Sequence, residues 1–203
     1  MLHSLSAARH ALASVIMLAI VTVALGFGYP LVVTGISQLF FRSQANGSLV
    51  HSSHGTLIGS ALLGQSFTDA KGNPLPQYFE PRPSDAGSGY QGNSSGASNL
   101  GPSNPVLIKL VTERAQAYRV FNGLPASATV PVDAVTASGS GLDPDISVAN
   151  ALDQAARVAR ARHLPTVQVV ALVHKYTTGA QWGFLSEPVV NVLSINLALG
   201  GLR

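Results

Sequence analysis

Residues 11–41 read ALASVIMLAIVTVALGFGYPLVVTGISQLFF. No residue in this stretch is charged, and it exceeds the roughly 20 residues with which a helix crosses about 30 Å of hydrocarbon. Ala11 to Leu25 is continuous aliphatic sequence; Gly26, Gly28 and Pro30 then loosen the backbone, where a kink or an exit to the interface is tolerated. Tyr29, Phe40 and Phe41 suit a membrane–water interface. A cleaved signal peptide would place Arg9 in its basic region and Ala24-Leu25-Gly26 at its cleavage site. The apolar run continues well past Gly26, too far for the 7–15 residues of such a segment. Arg9 and the α-amine precede the span, Arg42 follows it, and the next Lys or Arg is Lys71. This bias favours an inside N-terminus and an outside domain.

Working outward, residues 1–10 form an N-terminal tail, 11–41 the transmembrane anchor, 42–56 a connector and 57–203 a soluble domain. The chain is 46% hydrophobic and 10% charged, with a net charge of +3. Ordinary soluble domains carry about 25% charged residues, so part of this chain belongs out of water. No Lys/Arg run with interleaved aromatics exists to follow a phosphate backbone, which excludes nucleic acid as a partner. Without cysteine, disulfides and thiolate metal sites are excluded too.

Within the domain, Leu57–Leu63 suggests a strand, and Asn73–Pro105 is crowded with Pro, Gly, Ser and Asn yet holds Tyr78, Phe79 and Tyr90. A loop of that length in a compact domain is either functional or disordered. Asn104 as cap and Pro105 at the first position open a helix whose Leu107, Leu110, Val111, Tyr118 and Phe121 share a face, ended by Gly123 and Pro125. Thr129–Thr136 suggests a strand. Ser147 caps a second helix running to His163, and Thr166 caps a third that closes near Gly179. Val189–Leu199 alternates, with Leu193, Ile195, Leu197 and Leu199 on one side, as a half-buried strand does. This order suggests an α+β domain attached to one N-terminal transmembrane helix.

Candidate chemistry is sparse. Gly87-Ser88-Gly89-Tyr90-Gln91-Gly92 matches the dinucleotide fingerprint, but neither the preceding strand nor the following helix that the motif needs is present, so it reads as a turn-rich loop. Ser138 and Ser140 miss the Gly-x-Ser-x-Gly elbow. The competing function, a membrane-anchored extracytoplasmic serine hydrolase, would use one of them with Asp143, Asp145 or Asp153 and His163 or His174. Asp143-Pro144 followed by Ser147 is also what a helix-entry turn looks like. His51 and His54 have no third ligand nearby, and no metal site is expected. There is no Walker A sequence and no Asp-Lys-Thr-Gly phosphorylation motif, so no catalytic residue is assigned and the chain is not expected to be an enzyme by itself.

Four segments carry a resemblance: Tyr78-Phe79-Glu80-Pro81-Arg82-Pro83-Ser84; Ser95-Gly96-Ala97-Ser98-Asn99-Leu100-Gly101-Pro102-Ser103-Asn104-Pro105; Val135-Thr136-Ala137-Ser138-Gly139-Ser140-Gly141-Leu142-Asp143-Pro144; and Glu187-Pro188-Val189-Val190-Asn191-Val192-Leu193. In order, spacing and position after a single span they resemble the C subunit of the bacterial Kdp potassium-transporting P-type ATPase. That family has Gly-Gly where Gly96-Ala97 stands, usually His at Asp145 and usually Gly at Ser186. The resemblance implies a non-catalytic accessory subunit in the bacterial inner membrane. Its partners would be a channel-like potassium-binding subunit, a P-type ATP-hydrolysing subunit and a small single-span subunit. It further implies a catalytic chaperone that raises ATP affinity, with Ser95, Gly96, Ser98 and Asn99 in a signature-like nucleotide-binding loop and no tightly bound cofactor, ATP being reached only through the complex. The topology read from charge places that loop outside, where any effect on ATP affinity must pass through the membrane subunits. Tyr78, Phe79, Arg82 and Tyr90 are candidate interface residues, being types that interfaces enrich.

The anchor is directly testable. The protein should remain in the membrane after high-salt and alkaline washing and keep its first residues; N-terminal sequencing that begins near Phe27 would overturn the span.

Overall fold

The computed structural model describes residues 2–52 and 54–200, with side chains from Ala7 onward. Met1, Ser53 and 201–203, parts of the expected tail, connector and domain, lie outside the described residues. The chain separates into two compact units, Met1–Leu49 and Val50–Arg203.

The first unit is helical: α1 (Leu2–Val23), one π turn (Ala24–Gly28), α2 (Tyr29–Phe40) and a short α3 (Arg42–Ala45). Ala7–Phe40 is one helical stretch of 34 residues, long and apolar enough to cross a membrane. The Tyr29 N–H reaches the Ala24 carbonyl, one residue further back than in an α-helix. Pro30 explains this, because it has no N–H for the Gly26 carbonyl, and the wider turn absorbs the break. The loosening expected at Gly26, Gly28 and Pro30 is thus a single widened turn.

The second unit is α+β. Strands β1 (Leu49–His51) and β2 (Leu57–Ser60) form a two-stranded sheet. No helix or strand follows until α4 (Pro105–Asn122). Asn104 caps α4 by accepting the Val106 N–H, and Gly123 at φ +69° ends it, as its sequence implied. Then come β3 (Asp145–Ser147), α5 (Val148–Arg162), α6 (Thr166–Lys175), β4 (Thr177–Thr178), β5 (Val189–Asn191) and α7 (Val192–Leu199). β5 lies between β3 and β4, antiparallel to both, with Ile146 opposite Val190. Ile146 and Val190 point into the core, where Ala151, Ala155, Val158 and Ala159 of α5 meet Val169, Leu172 and Val173 of α6 and Ile195 and Leu199 of α7. Three buried alanines on α5, Ala151, Ala155 and Ala159, leave room for α6 to approach closely.

Three expectations are corrected. Thr129–Thr136 is not a strand: Pro131 starts a 3₁₀ turn at Val132–Ala134. Asp133 on that turn accepts hydrogen bonds from the Ser147 N–H (2.8 Å), the Ser147 hydroxyl (2.8 Å) and the Asn150 amide (2.9 Å), tying it to the start of α5. Val189–Leu199 is a strand for only three residues, because Asn191 accepts the Ser194 N–H (3.0 Å) and so caps a helix. Leu197 is correspondingly exposed while Val192, Ile195 and Leu199 are buried. Thr166 is the first residue of α6 rather than its cap, and the helix closes at Lys175, short of Gly179.

The segment 76–80 is held by side chains instead of by a strand. Asn196 of α7 donates to the Phe79 carbonyl (2.9 Å) and accepts its N–H (2.8 Å). Gln154 of α5 does the same for Glu80 at 3.0 and 2.8 Å. The Arg157 guanidinium donates to the Pro76 and Tyr78 carbonyls (2.7 and 2.9 Å), to Gln154 Oε1 (2.6 Å) and to Asn122 Oδ1 (2.9 Å), and it stacks 4.3 Å above the Phe121 ring. Arg162 adds the Gln77 carbonyl at 2.6 Å. Burial lowers the Arg157 pKa to about 10. It still leaves the group charged at neutral pH. Burial also pushes the Glu80 carboxyl up to about 7, against the pull of Arg157 and of the Leu75 and Phe67 N–H groups. Glu80 Oε1 is buried with no hydrogen-bond partner among the described residues.

Two outcomes follow for purified full-length protein in detergent. Arg157→Lys keeps the charge but cannot span four acceptors and a ring, so the domain should lose about 2–4 kcal/mol, read from the denaturant midpoint. An unchanged midpoint would remove the clamp's importance. For Glu80, the folded state binds more protons than the unfolded chain between pH 4.5 and about 7. The contribution is therefore full below pH 4.5, declines as pH rises to about 7, and is flat above. Glu80→Gln should gain on the parent by up to ~3 kcal/mol between pH 4.5 and pH 8; a pH-independent difference would contradict the raised pKa.

Candidate functional site

The loop over residues 61–104 meets the turn at 136–145, and this junction gathers the motif residues. Arg82 Nη1 pairs with Asp143 Oδ2 at 2.9 Å, and both side chains are mostly covered. The same guanidinium approaches the Thr136 and Ala137 carbonyls at 3.4 and 3.5 Å. Ser84 Oγ donates to the Gly141 carbonyl (2.6 Å) while accepting the Tyr90 N–H (2.8 Å), and the Tyr90 hydroxyl donates to the Arg82 carbonyl (2.6 Å). Two glycines are required by this packing. Gly141 sits at φ +67°, where a Cβ would come 2.6 Å from the Gly96 oxygen; a Cβ on Gly64 would overlap the Tyr90 ring and sit 2.6 Å from the Asp143 oxygen. Asn191 closes the group from β5, donating to the Ala61 carbonyl (3.1 Å) and to Asp145 Oδ1 (3.0 Å).

The four candidate interface residues occupy different environments. Phe79 is fully buried, so its ring belongs to the core and cannot offer the surface expected of it. Tyr78 is half-buried, its ring 5.3 Å from that of Phe67 and under Arg162. Arg82 and Tyr90 are half-buried and face the junction. Burial and the neighbouring Asp143 raise the Tyr90 pKa, so its hydroxyl keeps its proton and remains a donor.

The signature-like loop lies beside the same turn. Ser95 Oγ (2.9 Å) and the Gly96 N–H (3.0 Å) both donate to the Ser140 carbonyl. Asn99 Nδ2 donates to the Ala97 carbonyl at 3.2 Å, and Ser98 and Asn99 are exposed. The left-handed position in the segment is Asn99 (φ +52°), not Ala97, so the methyl group of Ala97 strains nothing. Ser186, where the resembled family usually has Gly, does adopt a positive φ of 68°.

Two depressions flank the junction. One, of about 390 Å³, is lined by Glu80, Pro81, Tyr90, Arg114, Tyr118 and Phe121. Burial and the nearby Asp153 and Asp133 carboxylates raise the Tyr118 pKa, and its hydroxyl donates to Asn150 Oδ1 at 2.9 Å. The other, of about 590 Å³, is lined by Asp133, Asp143, Asp145 and Glu187 with Arg82. Three of those carboxylates already serve the fold: Asp133 at the start of α5, Asp143 with Arg82, and Asp145 with Asn191. Burial raises the Asp145 pKa.

Among the described residues the serines and histidines of the hydrolase alternative are not brought together. Ser138 and Ser140 lie Oγ to Oγ at 3.3 Å, and Ser140 Oγ accepts the Leu142 N–H at 3.1 Å, the geometry of a turn. Among the described residues neither serine bonds to a histidine; His163 ends α5 at φ +58° and His174 is exposed on α6. The glycine-rich run 87–92 is a chain of turns, with the Gly89 and Gln91 N–H groups both on the Ala86 carbonyl and no helix after it. Sequence reasoning missed Asn196, Gln154 and Arg157. Their only signal was polar side chains on otherwise apolar helix faces.

The family description "K+-transporting ATPase, c chain" matches residues 11–201. The chain is 54% identical to the potassium-transporting ATPase KdpC subunit of Mycobacterium tuberculosis over 96% of its length and 99% of that protein. It is 52% identical to the same subunit of Rhodospirillum rubrum, covering 92% of each. With that of Acidobacterium capsulatum it shares 50% identity over 94% and 97%. The resembling segments are those the fold draws into one junction, and this chain belongs to the family of the c chain of K+-transporting ATPases.

Proposed function

We propose that the chain is the non-catalytic accessory subunit of a high-affinity, ATP-driven potassium uptake complex, needed for its assembly and stability. The observation that carries this reading is the match across residues 11–201 to a family whose relatives are named as subunits of a potassium-transporting ATPase. The partners would be a channel-like potassium-binding subunit, a P-type ATP-hydrolysing subunit and a small single-span subunit. A single span in the bacterial inner membrane, N-terminus inside, puts the domain on the outer face. On that side, the chain raises ATP affinity through the membrane subunits and not by touching nucleotide. The bonding of the 95–99 loop supports this, since the Gly96 N–H and the Ser95 hydroxyl are both given to the Ser140 carbonyl, leaving fewer donors for a phosphate.

Ser98→Ala and Asn99→Ala decide between contact and transmission. Both delete exposed hydrogen-bonding groups, so direct contact requires each to raise the apparent KM for ATP of the assembled complex. Transmission leaves KM unchanged in every complex that assembles. A raised KM together with a cytoplasmic C-terminus in a reporter-fusion assay would overturn the outside assignment. Deleting the chain should abolish potassium-stimulated hydrolysis, and the isolated chain should neither hydrolyse ATP nor conduct ions.

A further inference from the structure

Between β4 and β5 the chain makes a tip that the core does not use. Gln181 and Leu185 pair in an antiparallel bridge, and the loop between them carries Trp182 and Phe184, 85% and 74% exposed; Leu185 is 42% exposed. No residue from Tyr176 to Ser186 is charged. Two exposed aromatic rings and a leucine on an uncharged tip need a cover.

We infer that this tip inserts into the headgroup region of the bilayer that the same chain spans. Trp is the side chain most at home there, because its ring is apolar and its indole N–H finds acceptors among headgroups. The tether keeps lipid near: the ten residues from Phe40 to Val50 include the helical Arg42–Ala45 and so reach less than the ~35 Å of an extended chain, and a domain of this size has a radius of gyration of about 15 Å. Tethering of this kind acts as a high effective concentration, so even weak insertion is populated. A protein partner would have to cover surface beyond the tip. A stable interface buries about 800 Å² per side, and two aromatic rings at about 150–250 Å² each with one leucine supply only part of that. The inference rests on the span and not on the ATPase reading, and it holds for either orientation of the domain.

Trp182 is the only tryptophan of the chain, so its emission reports the tip alone. The full-length protein is reconstituted into phosphatidylcholine vesicles with and without brominated acyl chains. Emission should be blue-shifted and quenched by bromine placed near the headgroups, poorly quenched by aqueous acrylamide, and less quenched by bromine in Phe184→Ser. Emission at the water-exposed wavelength, quenched by acrylamide and untouched by brominated lipid, would overturn the inference. Emission untouched by brominated lipid that becomes shielded only once the other membrane subunits are present would also overturn it, assigning the tip to a protein partner. Copurification of Trp182→Ser with those subunits is read separately, so a failed insertion leaves the accessory-subunit reading standing on its own result.

Discussion

The buried guanidinium of Arg157 is the interaction on which the domain depends. Residues 61–104 have no helix or strand of their own, yet Phe79 within them is fully buried. An extended backbone cannot enter a core with its N–H and C=O groups unpaired, at a cost of about 1–3 kcal/mol for each orphan. Here the partners are side chains. Asn196 and Gln154 each present an amide that both donates and accepts, so each mimics one residue of a neighbouring strand. Arg157 fills the remaining acceptors and orients Gln154 through a 2.6 Å bond. Burying the cation is unfavourable in isolation; four hydrogen bonds and the Phe121 face offset that cost.

From this clamp the rest of the junction is set by short chain connections. Fixing Phe79 and Glu80 leaves Arg82 two residues away, able to reach Asp143, and Ser84 two further on, able to reach the Gly141 carbonyl. The turn at 138–143 is thereby held from one side by the 82–90 stretch and from the other by Ser95 and Gly96. Gly64 and Gly141 are the points of closest approach, where the absence of a Cβ lets backbone meet backbone or ring. In this cluster most of the hydroxyls and carboxylates are already engaged by the fold: Ser84 with Gly141, Asp143 with Arg82 and Asp145 with Asn191.

How far the sequence revealed this depended on the range of the interactions. Elements closed by local chemistry were legible: the span from its uncharged run, α4 from Asn104-Pro105 and Gly123, and α5 from Ser147. α7 was misread because an eight-residue apolar run satisfies both periods; the Asn191–Ser194 cap was the deciding local signal and was overlooked. Thr129–Thr136 misled for a different reason, since Asp133 finds its partners more than a dozen residues on, at the start of α5. The clamp was not legible at all. Gln154 and Glu80 are separated by 74 positions, and Asn196 and Phe79 by 117, so nothing in the spacing couples them. Resemblance did better than propensity at the junction because it marks segments that must meet without saying how.

An accessory subunit with no chemistry of its own can change another subunit's affinity only by binding that subunit's states unequally. The required difference is small: tenfold in ATP affinity is about 1.4 kcal/mol, the scale of one or two hydrogen bonds formed in one state and not in the other. Such a difference does not require nucleotide to touch this chain, but it does require a surface that keeps its shape while the partner changes. A loop left free to adapt would follow both states and discriminate neither. The clamp holds 76–80 from two helices at once, and the 82–143 pair ties the same stretch to the turn beside the signature-like loop. Under the proposed function, substitutions at the buried Arg157 or Gln154 would be expected to alter the complex through the shape of the domain.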